Sequence, residues 1–368
     1  MKKRKIIGFF LFTFLLLLSA CSGSGSGGQE STSPSLSSVT EQSSAGQAQS
    51  SEKPGNGQTP EARPGEAKKG IRLLALKGPT AMGLASLVTS KRAEDQALIA
   101  SFTLAQSPQE ALTAFIRGEA DIATLPANQA ALLYQKLKGD LAVLNINTLG
   151  NLYVVERQAQ VTSLADLKGK KLYAAGKGAT PEIVLTELLD WAEVPEDDRQ
   201  VVWLPDHTAV LQKLLQEKDT LALLPEPFVS LSIHKNPQIH PALELNLLWD
   251  QAQAGQKHPA RLVMGVTIAR REWIKAHPDL IKAFQKAHFL SIDQANSDPA
   301  EAAKKVEALG ILKRPIAERA IPYASLVCLT DETMKEGLSG FLRLLYEKNP
   351  KFIGGALPGP DFYYQSEK

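Results

Sequence analysis

The residues of this chain with the chemistry for covalent or metal-assisted catalysis are few and scattered. The six histidines stand at 207, 234, 240, 258, 277 and 288, with no pair at i, i+4. The only cysteines are Cys21 and Cys328. There is no Cys/His cluster, no HExxH and no Gly-x-Ser-x-Gly, so neither a zinc site nor a nucleophile elbow is written in the chain. No metal, cofactor or catalytic residue is expected. The polar residues with a recurring pattern lie instead in five short segments. These are Lys77-Gly78-Pro79-Thr80, Leu125-Pro126-Ala127-Asn128, Gly176-Lys177-Gly178-Ala179-Thr180-Pro181, Leu204-Pro205-Asp206-His207 and Leu224-Pro225-Glu226-Pro227. Each sets proline near the start of a helix, where its missing N–H costs nothing and its fixed φ suits the first turn. Glycine admits close backbone approach, and Thr80 or Thr180 is placed to cap the helix that follows. The chemistry such segments offer is reversible binding: free helix-start N–H groups favour anions and hydrogen-bond acceptors.

The elements that position these segments alternate. Ile71–Leu76, Ala97–Leu104, Asp121–Leu125 and Leu141–Leu149 read as strands. Helices fall between them, from about Thr80 to Lys91, from Pro108 to Arg117 and from Ala127. The unit recurs with strands at Lys171–Ala175, Val201–Leu204 and Leu221–Leu224, each followed by a helix at Pro181, Thr208 or Pro227. Beyond Val263 the chain is mostly helical, over Pro278–Asn296, Pro299–Leu309 and Asp331–Tyr346. This alternation predicts an α/β fold with parallel or mixed sheets covered on both faces. About 300 residues in this pattern exceed one typical domain. Leu152–Glu156 and Leu262–Ala269 read as the connectors, with a first lobe of 70–155 plus 265–368 and a second of 160–260. In open α/β sheets, ligands bind outside the carboxyl ends of the strands. The candidate contacts are therefore Gly78, Pro79, Thr80, Ala81 and Met82; Pro126, Ala127 and Asn128; Gly178, Ala179 and Thr180; and Pro225 and Glu226. Asn151 beside the first connector and Arg261 near the second join them, Arg261 as the one candidate clamp for an anion. His207, Lys77 and Lys177 stand close by, and Tyr153, Tyr323 and Trp203 are candidate walls for a flat ring.

Ahead of this body lies a different kind of sequence. Lys2, Lys3, Arg4 and Lys5 precede the apolar run Ile6–Leu18, too short to span a bilayer comfortably, and Leu18-Ser19-Ala20-Cys21 follows. The segment resembles the lipobox of bacterial lipoproteins. That implies a signal peptide of residues 1–20 and acylation, as with palmitate, at Cys21, which leaves the protein membrane-anchored on the extracytoplasmic face. Without the four basic residues at 2–5, the formal net charge of +2 becomes −2. No basic run interleaved with aromatics exists, and no nucleic-acid partner is expected. Residues 22–69 contain no aromatic residue and are dominated by Ser, Gly, Gln, Glu, Pro and Ala. Too apolar-poor to fold, they read as a disordered tether with a reach of roughly 40 Å. Such a length leans towards a Gram-positive surface. With Cys21 acylated, Cys328 has no disulfide partner, and its run Ser325-Leu326-Val327-Cys328-Leu329 predicts a buried, inert thiol.

Taken together, several of these segments resemble a substrate-binding lipoprotein of an ABC importer. They are the lipobox, the spacer, Lys77-Gly78-Pro79-Thr80-Ala81-Met82-Gly83, Ser163-Leu164-Ala165-Asp166-Leu167-Lys168-Gly169-Lys170-Lys171-Leu172 and Leu224-Pro225-Glu226-Pro227. The similarity is to the group handling nitrate, sulfonates such as taurine, and thiamine-type pyrimidines. It implies a type II periplasmic-binding fold with two hinge crossovers, in which Asp166–Lys171 opens the second lobe and Pro225–Pro227 faces the cleft. A monomer would deliver a small organic anion or nitrogen heterocycle to a permease whose ATPase supplies the energy. Two other functions fit the same residues: an enzyme on this fold, of the menaquinone-pathway or pyrimidine-synthesis type, and a ligand sensor without a transport partner.

Overall fold

The computed structural model describes residues 70–158, 161–256 and 259–366. The signal segment, Cys21 and the tether lie outside the described residues. The chain enters the first lobe through β1 (Ile71–Leu76), α1 (Pro79–Met82), α2 (Ala85–Val88), α3 (Ala93–Leu98) and β2 (Ile99–Ala105). It continues through α4 (Pro108–Ile116), β3 (Ile122–Pro126), α5 (Ala127–Lys136) and β4 (Ala142–Leu149). The second lobe holds β5 (Leu152–Glu156), β6 (Lys171–Ala175), α6 (Thr180–Trp191), β7 (Gln200–Leu204) and α7 (His207–Gln216). It closes with β8 (Leu221–Pro225), α8 (Phe228–Lys235), β9 (His240–Glu244) and α9 (Leu245–Gln253). The chain then returns to the first lobe with β10 (Val263–Ala269), α10 (Arg271–Ala276), α11 (Pro278–Ser297), α12 (Pro299–Ala308), α13 (Arg314–Ala320), β11 (Leu326–Leu329) and α14 (Asp331–Lys348).

The first sheet has the order β11-β4-β10-β3-β1-β2 and the second β7-β6-β8-β5-β9. Both are mixed. In the first, β1 is parallel to β2 and β3, while β10 runs antiparallel between β3 and β4. In the second, β6 is parallel to β7 and β8, while β5 runs antiparallel to β8 and β9. β5 and β10, the first strands after each crossing, run antiparallel to both their neighbours, and β11 runs antiparallel to β4 at the edge of the first sheet. β3, β4 and β5 are buried along nearly their whole length, as central strands covered on both faces must be.

Helix starts follow local chemistry. At α4, the Glu110 N–H donates to Ser107 Oγ at 3.2 Å behind Pro108, and Glu110 Oε2 accepts from the Gln106 N–H at 2.7 Å. Asp298 caps α12 in the same way, accepting from the Glu301 N–H at 3.0 Å. The Asp166–Lys171 segment opens with a 3-10 turn whose capping carboxylate, Asp166 Oδ2, accepts from Thr162 N, Thr162 Oγ1 and Ser163 N. Those bonds hold the Asp166 carboxyl down at about 2.

One apolar cluster runs from Leu74 and Val143 of the first sheet to Val154 and Leu172 of the second, by way of α14. A salt bridge between Lys348 of α14 and Glu187 of α6 lies along that seam. Smaller clusters sit under α1–α3 and α10–α13 in the first lobe and under α7 and α8 in the second. Cys328 is half-buried beside the first of these, and burial pushes its thiol up to about 12. Among the described residues, no helix is long and apolar enough to cross a membrane, and no His/Cys/Asp/Glu group is placed to hold a metal.

Two expectations are corrected. Leu152–Glu156, read as a connector closing the first lobe, is a buried strand of the second sheet. Leu262–Ala269 is largely β10, a strand of the first sheet. The crossings themselves are short. The first passes through Gly150 and Asn151, and the second ends at Leu262, where a Cβ on Gly150 would come within 2.6 Å of Leu262 Cδ2. Ser325 binds the same place, its Oγ donating to Gly150 O at 2.7 Å and its carbonyl accepting from the Leu149 N–H at 3.0 Å. Trp249 Nε1 donates to Ala260 O at 2.6 Å and fixes α9 against the second crossing.

Candidate solute-binding cleft

Strand direction places the junctions. Thr148 of β4 and Pro126 of β3 both pair with Gly265 of β10, so the carboxyl ends of β3 and β4 are level, and β4 runs directly into the first crossing. In the second sheet, Pro225 at the end of β8 pairs with Leu152, the first residue of β5, and the Glu226 N–H donates to Asn151 O at 3.0 Å. The carboxyl edges of both parallel sets therefore border the same crossing. Five strand-to-helix junctions line those edges.

On the first-lobe side, Gly78 turns the chain at φ 131°, a conformation open to glycine. Thr80 Oγ1 donates to Leu76 O at 2.9 Å, and the Leu76 N–H donates to Thr124 Oγ1 at 3.2 Å. Thr80 thus seals its own strand end from inside α1 and caps nothing. Beneath it runs a buried polar row. Asn147 Nδ2 donates to Thr267 Oγ1 at 3.0 Å, Thr148 Oγ1 donates to Asn147 Oδ1 at 3.0 Å, and Asn145 Nδ2 lies 3.3 Å from His288 Nδ1. Burial pulls the His288 imidazole down to about 3, so it is neutral. A Cβ on Gly265 would stand 2.5 Å from both Thr80 Cγ2 and Asn147 Oδ1, so only glycine lets β10 pass under this loop. Ala81 and Met82 are packed in the core, and both their N–H groups turn back to Gly78 O. Neither side chain nor amide is left for a ligand, which removes both from the candidate contacts.

The start of α5 is different. Its cap position is Pro126, no side chain caps it, and its first turn carries no acid. Ala127 is buried in the core, whereas Asn128 is half-buried and its side chain makes no hydrogen bond among the described residues. Lys77 stays on the exposed rim, donating to Gln106 Oε1 at 3.2 Å.

On the second-lobe side every helix start already has a carboxylate. Glu182 Oε2 accepts from the Gly178 N–H at 2.6 Å, and the Ala179 N–H donates to Gly176 O at 3.0 Å. Thr180 is the first residue of α6, with its cap position at Ala179, so it too is no cap; among the described residues its hydroxyl makes no hydrogen bond. At α7, Asp206 Oδ1 accepts from the Ala209 N–H at 2.8 Å. Next to it, His207 lies against the Phe228 ring with centroids 5.4 Å apart, and burial holds its imidazole below the usual histidine range. Before α8, Glu226 is 3 % exposed, its Oε1 accepting from Ser230 Oγ at 3.0 Å and its Oε2 from the Ser230 N–H at 3.2 Å. Burial raises its carboxyl to about 7. Acids thus sit at the positive helix ends of the second lobe and of α4 in the first, while the start of α5 carries none.

Asn151 is buried at the crossing, and among the described residues its Oδ1 has no hydrogen-bond partner, an unusual state for a buried amide. Arg261 is not brought to this group. It is exposed, packs its methylenes near Gly337 of α14, and shares a polar groove with Asp250 and Arg343. Trp203 is half-buried, and Tyr153 is buried with its hydroxyl donating to Tyr323 O at 3.0 Å. Asn145, Asn147 and Gly265 escaped the sequence reading. The alternation Leu144-Asn145-Ile146-Asn147-Thr148, polar residues inside an apolar strand, was the available signal.

Residues 98–254 match the family model of periplasmic substrate-binding proteins of phosphonate ABC transporters. The fold is that of a two-lobe periplasmic binding protein. An ABC transporter protein from Parabacteroides distasonis superposes with a TM-score of 0.68 at 24 % identity, over 81 % of this chain and 100 % of that one. The periplasmic aliphatic sulphonate binding protein SsuA of Escherichia coli gives 0.62 at 16 % identity, over 82 % and 93 %. The periplasmic nitrate-binding protein NrtA of Synechocystis gives 0.53 at 13 % identity, over 76 % and 82 %. No curated protein sequence matches the chain significantly. In this binding-protein fold the first lobe's sheet and the second lobe's sheet are joined by the crossings at Gly150–Asn151 and before Val263.

Proposed function

We propose that this chain is an extracytoplasmic solute receptor of an ABC importer, held to the membrane by a lipid on Cys21. It captures a small organic anion or nitrogen heterocycle between its lobes and presents it to a permease. The observation that carries the reading is the meeting of both carboxyl strand edges at one crossing. The match of residues 98–254 to a phosphonate-type binding family supports it independently. The acid-free start of α5 orients the solute. Its acidic or acceptor group belongs at the start of α5 beside Asn128, where no acid competes. Its donors or neutral face belong towards Thr180 and Asp206. Closure adds the second lobe's contacts to the first's, and the ligand shifts the population by that difference in affinity. The monomer does no chemistry; the importer's ATPase supplies the work.

The test is a thermal-shift and calorimetric screen of the full chain against ethanesulfonate, methylphosphonate, nitrate and thiamine. A ligand at about 100 times its Kd stabilises the native state by about 2.7 kcal/mol. One class binding at one molecule per chain is the expected result. Absence of binding across all four would overturn the reading.

A further inference from the structure

Beside the crossing lies a cavity of about 270 Å³ whose walls come from both lobes. The second lobe supplies Tyr153, Glu226 and Ser230, with Ile233 and Ile239 as an apolar side. The first lobe supplies Arg319 at the end of α13 and Tyr323 just after it. Of the strand-end residues only Glu226 takes part. Its two oxygens each accept one bond from Ser230, which leaves lone pairs for another donor. Arg319 is exposed and, among the described residues, has no carboxylate within ion-pair distance. The remaining charged or titratable neighbours are Tyr153, which donates to Tyr323 O, Glu244 beside Tyr153, and His240, whose Nε2 lies 3.7 Å from Glu156 Oε1.

We propose that this cavity is a second binding site, for a compact zwitterion with an aliphatic side chain. The ammonium group meets Glu226, the carboxylate meets Arg319, and the side chain lies against Ile233 and Ile239. An acid from one lobe facing a base from the other across an apolar gap matches such a molecule at both ends. The volume falls just below the roughly 300–1,000 Å³ of ordinary small-molecule sites, which fits an amino acid rather than a larger solute. The site stands on the cavity and not on the identity of the solute in the cleft.

The experiment is calorimetric titration of the full chain at pH 8 with L-leucine, N-acetyl-L-leucine and L-leucinamide. Leucine saturates one site, and each blocked analogue binds at least tenfold more weakly, because one charged end is lost. Glu226→Gln and Arg319→Ala each weaken leucine at least tenfold; Arg319 is exposed, so its variant keeps the native circular dichroism and thermal midpoint. Affinity in the unmodified chain falls as the pH drops below about 7, where the Glu226 carboxyl is protonated, and Glu226→Gln removes that dependence. Absence of leucine binding at millimolar concentration, or equal binding by Arg319→Ala, overturns the proposal. Ethanesulfonate titrated into the same samples separates the two sites: sulfonate binding without leucine binding overturns only this site, and leucine binding without any cleft ligand overturns only the cleft.

Discussion

Glu226 concentrates the residue-scale physics. Its carboxyl is buried against one serine and titrates near 7 instead of in the ordinary range around 4.5. The folded protein therefore holds this proton more tightly than the unfolded chain, and stability falls as the pH rises from about 4.5 towards 7. Glu226→Gln removes the cost of ionising a buried acid. It is predicted to be more stable than the parent above pH 7, by on the order of 3 kcal/mol, with the advantage gone below pH 4.5. Urea unfolding at pH 4 and pH 8 checks this; an equal difference at both would contradict it. Gly265 makes a steric prediction. A methyl group there enters the 2.5 Å gap to Thr80 and Asn147, so Gly265→Ala is expected to cost about 1–3 kcal/mol in denaturant unfolding and to weaken cleft ligands by shifting Thr80. Which residues matter was only partly legible in the sequence. Thr80, Asn128, Thr180 and Glu226 were picked because of their junctions, but burial decides whether a junction residue is free. Ala81 and Met82 failed on that ground, and Arg261 failed because α14, far away in sequence, receives it.

At the scale of elements the decisive feature is which helix starts are already occupied by acids. Only α5, among the four helices of at least eight residues at these junctions, starts without a nearby carboxylate. Asn128→Asp tests this by moving two quantities in opposite directions. An acid in the first turn stabilises the helix by about 0.3–1 kcal/mol, while repelling an anionic solute from the same place. Thermal unfolding without ligand is expected to rise slightly and sulfonate or phosphonate affinity to fall at least tenfold; unchanged affinity would place the anion elsewhere. Most strands were readable because proline and glycine punctuate their ends, and Lys171–Ala175 is found as read. The readings failed where tertiary contacts choose the element. The helix from Thr80 to Lys91 is instead two short helices with Gly83 between them, where α11 comes so close that a Cβ would meet Ile292 at 2.9 Å. Strand β9 was missed because it carries Pro241, which an edge strand tolerates and a central one does not.

For the whole molecule, two sheets share one apolar seam along α14 while their carboxyl edges meet at the crossings. In the proposed receptor the crossings are the hinge: residues around Gly150 and Leu262 would absorb the rotation that narrows the cleft around a solute. The composition and the alternation of elements announced two α/β lobes. They did not reveal that β5 and β10 are strands rather than connectors, since an apolar run of five or seven residues reads the same either way. The central claim is closure on a solute. It is tested most directly by the distance between spin labels on Lys136→Cys at the end of α5 and Lys235→Cys at the end of α8, in a Cys21→Ser full chain. Both lysines are exposed, and Cys328→Ser removes the remaining half-buried thiol so that only the two introduced cysteines carry label. Saturating ligand from the sulfonate–phosphonate panel is expected to shorten and narrow that distance, and Asn128→Asp to raise at least tenfold the ligand concentration at which the change occurs. A distance distribution unaltered by a bound ligand would contradict a receptor that works by closing.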